Sequence, residues 1–340
     1  MKRILPLFLA LALLLTGCTA VSTTESTSQT VSQVDSPSSA LESAAESASS
    51  QLESAGEVSI TDSNGSQITL DTSAPRVVAA YGSFAEAWLL AGGELCGVTQ
   101  DALEQRDLGL PEDIAVVGTV KEPNAEEIIA LEPDLVLLAS DITAQADIRD
   151  VLENAGLACA FFQVDTFADY AFMMEQLCAV TGREDLYEEN VTQVGQQIEE
   201  AQANAALSST RPNVLLIRAF STGIKAKTDD ELAGAILKDL GAHNIADDHP
   251  SMLEDLSLEE VIAADPDYIF VTTMGDEQKA LDYLNGLIQQ NPAWSELSAV
   301  KEDRYVVLPK DLFHYKPNNR WGESYQYLGE ILYPELFHEE

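Results

Sequence analysis

Eleven of the eighteen lysines and arginines lie between Arg211 and Arg320, in a chain whose 57 acidic residues leave a net charge of −39. Basic side chains gathered in one stretch of an acidic protein point to an anionic ligand, because guanidinium forks match carboxylate and catecholate oxygens. Arg218, Lys225 and Lys227 come after the apolar run Val214–Ile217, read as a strand with a loop beyond it; Lys310, His314, Tyr315, Lys316, Arg320 and Trp321 come after another. In the first half, Tyr81 and Ser83 come after the run Val77–Ala80, and Lys121 after Val116 and Val117. His314 and Tyr315 carry donors that fill open positions on a ferric chelate or ligate haem iron axially, and aromatic faces such as that of Trp321 cover planar ligands.

Other chemistries find no carrier. The acidity argues against a nucleic-acid partner, whose phosphates need a basic stripe. There is no G-x-S-x-G, no HExxH and no Walker lysine, and the four histidines are scattered, His243 and His249 reading as cap or surface residues. No enzyme is expected, nor a resident cofactor. Cys96, Cys159 and Cys178 lack CxxC spacing and sit in apolar stretches, so they read as small buried thiols rather than metal ligands. An oxidising compartment permits one disulfide, but the spacing does not select a pair.

The elements that position these residues are set by pattern. Lys2 and Arg3, the apolar run Ile4–Leu15 and the small residues before Cys18 form a signal peptide over 1–17. Leu15-Thr16-Gly17-Cys18 resembles a bacterial lipobox, which implies lipidation at Cys18 and a membrane anchor. Residues 18–56, rich in Ser, Thr, Ala, Gln and Glu, form a flexible tether. Next is a hairpin around Asn64-Gly65, then alternating strands and helices: strand 76–80, a helix capped by Ser83, strand 95–98, strand 134–138, helix 147–155, strand 158–164 and helix 167–180. The pattern over 184–207 predicts one helix, about 35 Å long, beyond which strands and helices alternate again. This is an α/β fold.

An internal echo sets the architecture. Asn124–Leu138 and Ser257–Val271 align without a gap, each a capped helix leading through Pro-Asp into a buried strand. They flank the long helix, so we expect two similar α/β lobes, 57–183 and 208–340, joined by the rigid helix 184–207, with a ligand cleft between them. Loops at the carboxyl ends of strands then face the cleft, and Tyr81, Ser83, Lys121, Arg218, Lys225 and the cluster Lys310–Trp321 all fall in such loops.

The hairpin before Pro-Arg-Val-Val, Tyr81-Gly-Ser83, the paired Glu-Glu-x-Ile-Ala…Pro-Asp segments, Gly241–Asp247 and Lys316-Pro-Asn-Asn-Arg-Trp321 resemble the helical-backbone substrate-binding proteins of ABC importers for iron-siderophore, haem and vitamin B12. The resemblance covers about residues 57–336. It implies a monomeric extracytoplasmic receptor for an iron complex, a ferric siderophore first and haem next, serving an ABC permease and ATPase. A cobalamin receptor of the same fold, or a direct metal-ion receptor, is the alternative. It further implies that one glutamate on each lobe docks onto permease arginines; the matching positions are Glu126 and Glu259.

Overall fold

The computed structural model describes residues 57–254 and 256–337. The expected signal peptide (1–17), lipidation site Cys18 and tether (18–56) therefore lie outside the described residues. Among the described residues, no helix is long and apolar enough to cross a membrane.

The hairpin β1 (Val58–Thr61) and β2 (Gln67–Leu70) is antiparallel. Buried Asp62 shapes its turn, accepting hydrogen bonds from Asn64 N (3.0 Å) and Ser66 N (2.8 Å). Next come β3 (Val77–Ala79), β4 (Leu95–Val98), β5 (Ala115–Val116), the small antiparallel pair β6 (Gly118–Thr119) and β7 (Glu122–Pro123), β8 (Leu135–Ala139) and β9 (Ala158–Phe162). Strands β5-β4-β3-β8-β9 form a parallel sheet in that order. The chain winds outward in both directions from its middle, so a crevice opens at the carboxyl ends of β3 and β8. β8 is buried at every position, as a strand covered on both faces must be. Where one helix is expected over 147–155, two short ones form, Thr143–Asp147 and Arg149–Asn154.

The second sheet contains β10 (Asn213–Phe220), β11 (Gly223–Lys227), β12 (His243–Asn244), β13 (Tyr268–Thr273) and β14 (Tyr305–Val307). Its order is β11-β10-β13-β14, with β12 also paired to β10 and only β11 antiparallel.

The sequence echo is a structural echo. Helices Ala125–Ala130 and Leu258–Ala264 are N-capped by Asn124 and Ser257 and lead into β8 and β13. Glu132 (φ 47°) and Asp265 (φ 42°), each before a proline, adopt left-handed conformations that non-glycine residues rarely occupy. The aspartates just beyond those prolines act alike. Asp134 Oδ2 accepts from Arg76 N, and Asp267 Oδ2 from Asn213 N, both at 2.8 Å, pinning the start of the adjacent strand in each lobe.

The connecting span is helical from Glu184 to Ala206, with a π-helical turn at Glu188–Thr192. Val191, Val194, Ile198, Ala201 and Ala205 recur at helical spacing and are buried against the core. The π turn presents buried Asn190, whose Nδ2 donates to Leu90 O (3.1 Å) and whose Oδ1 accepts from Asn319 Nδ2 (3.1 Å). Asn319 belongs to a returning segment, Lys316–Trp321, that runs from the second lobe onto the first. There Asn318 Nδ2 donates to Ser83 O (2.9 Å) and Glu86 Oε2 (2.6 Å). Trp321, 1% exposed, packs edge-on against Phe167 at 6.3 Å. The lobes are thus fastened twice, by the helix and by this crossing.

Candidate functional site

The cleft is built from the segments that leave the carboxyl ends of the sheet strands. After β3 the chain turns at Tyr81 into helix Gly82–Leu90. Tyr81 occupies the N-cap position without a side-chain cap, which corrects the expectation that Ser83 caps this helix. Ser83 is instead buried in its first turn, where Oγ accepts from Arg106 Nη2 (2.8 Å). Gly82 N donates to Asp101 Oδ2 (2.7 Å), an approach so close that a Cβ on Gly82 would lie 2.7 Å from that oxygen. Asp101 Oδ1 is buried without a partner.

Arg106 is the residue that sequence reasoning missed. It lies beyond β4, within the same class of strand-end loop as Tyr81, and applying that rule to β4 finds it. Its guanidinium pairs with Glu86 and donates to Lys316 O (2.9 Å), tying the first lobe to the second. Lys316 Nζ completes the tie with an ion pair to Asp165 (3.1 Å), whose carboxyl is desolvated but held below the usual range by Gln163 and Lys316. Glu86, Arg106, Tyr315 and Arg320 line a recess of about 240 Å³.

On the second lobe, Lys225 and Lys227 do not lie in a loop as expected; they belong to β11, which pairs Lys225 with Arg218 of β10. The hairpin forms because β10 runs three residues past the expected strand end at Ile217, to Phe220, before turning back. Arg218 pairs with Glu231, which also takes Lys227 Nζ at 2.9 Å. Burial alone would lower the Lys227 pKa, but Glu231 and Asp230 hold it above its ordinary value. Lys310 starts a short helix, Lys310–Phe313, and its Nζ donates to Gly275 O (2.5 Å).

His314 and Tyr315 come directly after that helix, with ring centroids 5.3 Å apart. Burial, reinforced by Arg218, Lys310 and Lys316, pushes the His314 pKa down to about 4, so the imidazole is neutral at ordinary pH. Burial raises the Tyr81 and Tyr315 pKa values, and the two phenols, from opposite lobes, are close enough for their charges to interact. Tyr315 thus lies beside His314, and Lys316 acts on both His314 and Tyr81.

The other expected residues are exposed, already paired or enclosed. Lys121, at the tip of the β6–β7 hairpin, and Lys225 are exposed, with no ion pair among the described residues. Arg320 is engaged by Asp311 (2.8 Å) and Glu323 (2.7 Å). Trp321 is enclosed in the core between the lobes and has no open face. Glu126 and Glu259 are both exposed, each the second residue of its echoed helix. Cys96, Cys159 and Cys178 are free thiols, and among the described residues no cluster of three His, Cys, Asp or Glu could hold a metal ion.

Residues 77–312 match the periplasmic binding protein family. The Fe(3+)-citrate-binding protein YfmC of Bacillus subtilis is 26% identical over 269 residues, 76% of this chain and 80% of that protein. Two solved structures share the fold. The TroA-like periplasmic binding protein FepB from Veillonella parvula superposes with a TM-score of 0.66 at 20% identity, covering 82% of this chain and 91% of that one. Staphylococcus aureus IsdE complexed with heme gives a TM-score of 0.63 at 18% identity, covering 76% and 99%. With a match spanning most of both lobes, and with duplicated sheets flanking a strand-end cleft, the chain belongs to the periplasmic binding protein family.

Proposed function

We propose that this chain is an extracytoplasmic, lipid-anchored receptor that captures a ferric siderophore in the cleft and delivers it to an ABC permease and its ATPase. The observation that carries the reading is the adjacency of His314 and Tyr315 on the strand-end segment of one lobe, with Tyr81 on the strand-end segment of the other. Two phenols and one imidazole suit ferric iron but are too few to surround an octahedral ion, so a chelate has to bring the remaining donors. Relatives named for Fe(3+)-citrate and heme support an iron complex as cargo. Haem is the second reading, favoured by the adjacency of His314 and Tyr315, either of which can serve as an axial ligand. Exposed Glu126 and Glu259, at equivalent positions on the two lobes, are the permease-docking pair.

The test is a titration of the purified protein's intrinsic tryptophan fluorescence, to which Trp321 of the crossing segment contributes, with ferric siderophores, haemin and cyanocobalamin. Saturable quenching by a ferric siderophore with Kd on the order of 0.1 μM, weakened at least about tenfold in His314→Ala and Tyr315→Phe, is expected. A Soret shift with haemin alone selects the second reading. Saturation by none of the three classes refutes the proposal.

A further inference from the structure

Four cations around the cleft, Arg106, Arg218, Lys227 and Lys316, are already paired with the protein's own carboxylates, while Lys310 donates to Gly275 O. Arg218, Lys310 and Lys316 surround His314, Arg106 lies beside Tyr81 and Tyr315, and Lys227 shares Glu231 with Arg218. Against these five cations stand five carboxylates: Glu86 on Arg106, Glu231 on Arg218 and Lys227, Asp165 on Lys316, and Asp101 and Glu277 beside Tyr315. Two of these pairs are largely withdrawn from water, Arg106 (10% exposed) with Glu86 (22%) and Arg218 (18%) with Glu231 (14%), whereas Asp165 on Lys316 is 48% exposed. A polyanion drawn to Arg106, Arg218, Lys227 or Lys316 would have to strip that cation of its carboxylate and then face the carboxylate at close range, where charge is weakly screened in the less exposed pairs. The net charge of −39 offers such a ligand no attraction from a distance either.

We infer that the ferric chelate selected by this cleft carries little or no net charge, a neutral trihydroxamate-type complex rather than a polyanionic catecholate or carboxylate. The inference rests on the iron-chelate reading of the cleft and narrows it. The basic stretch that suggests an anionic ligand in the sequence serves instead to balance the cleft's own acids. A neutral chelate leaves the pairs intact and meets Tyr81, His314 and Tyr315 directly.

The experiment titrates the purified protein with a neutral ferric trihydroxamate and a trianionic ferric triscatecholate, each at low and high NaCl. The trihydroxamate is expected to bind at least about tenfold more tightly, with a Kd that moves less than about twofold with salt. Glu231→Gln, which uncovers Arg218 and leaves Lys227 with Asp230 alone, is expected to reduce that preference at least about fivefold; Glu86→Gln, which uncovers Arg106, provides the same reading on the other lobe if the first variant does not fold. Tighter wild-type binding of the triscatecholate, weakening steeply with salt, overturns the inference and leaves the iron-chelate reading standing. Binding of neither probe, nor of any other ferric chelate, overturns both.

Discussion

A half-buried neutral histidine ties the cleft to the stability of the whole chain. His314 has its pKa pushed down to about 4, first by burial and then by Arg218, Lys310 and Lys316. In the unfolded chain the same imidazole titrates near 6.5. Between these values the unfolded state holds one more proton than the folded state, so stability falls as pH falls through this window and levels off on either side. The gap of about 2.5 pH units, at about 1.36 kcal/mol each, amounts to about 3 kcal/mol, of which about 2 kcal/mol is lost between pH 7.5 and pH 5. Urea denaturation of the wild type and of His314→Gln at those two pH values measures it, because the carboxylates contribute nearly alike to both proteins. The variant is expected to lose about 2 kcal/mol less than the wild type on acidification. A proton NMR titration should place the imidazole transition near pH 4. Equal acid losses in both proteins, or an imidazole that titrates near 6.5, would refute the claim that His314 is desolvated among cations, and with it the picture of a neutral donor ready for iron.

Four further outcomes are expected. Glu126→Arg or Glu259→Arg should cut iron uptake by cells at least about tenfold while leaving solution Kd within about twofold, because both residues are exposed and the change reverses a charge at the proposed docking face. Gln145→Leu should destabilise the protein by about 3 kcal/mol in urea, since the buried amide accepts from Ala139 N (2.7 Å) and donates to Ala80 O (2.7 Å) and Val120 O (3.1 Å), fixing three cleft loops at once. Asp134→Ala and Asp267→Ala should each cost about 1–2 kcal/mol and combine additively, because each pins a strand in its own lobe. Trp321→Ala should cost about 3–5 kcal/mol by opening a cavity against Phe167, measured by thermal unfolding.

Much of the frame is legible in the sequence because it is written locally. The echo of Asn124–Leu138 in Ser257–Val271 specifies cap, helix, Pro-Asp turn and strand within one short segment, and all four recur in both lobes. The connecting helix is legible from its 3.6-residue period, although nothing in that period reveals the π turn that delivers Asn190 to Leu90 and Asn319. The part that escapes is long-range. Arg106 meets Lys316 across 210 residues and Lys316 meets Asp165 across 151, so no local pattern distinguishes these cations from solvated ones. Lys225 and Lys227 read as loop residues because Gly223-Ile224-Lys225-Ala226-Lys227 offers a short alternation that acquires strand character only when β10 supplies its partner.

The double fastening of the lobes bears on how a ligand is held. Wide opening of the cleft requires Arg106 to leave Lys316 O, Asn318 to leave Ser83 O and Glu86, and Asn319 to leave Asn190, all while the connecting helix bends. Asn318 is fully buried in a left-handed conformation (φ 53°), and its main chain cannot shift without disturbing Trp321 behind it. These contacts act together, so losing one exposes polar groups that the others keep dry. The cleft is therefore set before its ligand arrives, and selectivity has to come from the charge and shape already present there rather than from a closure that rebuilds the site around each new guest.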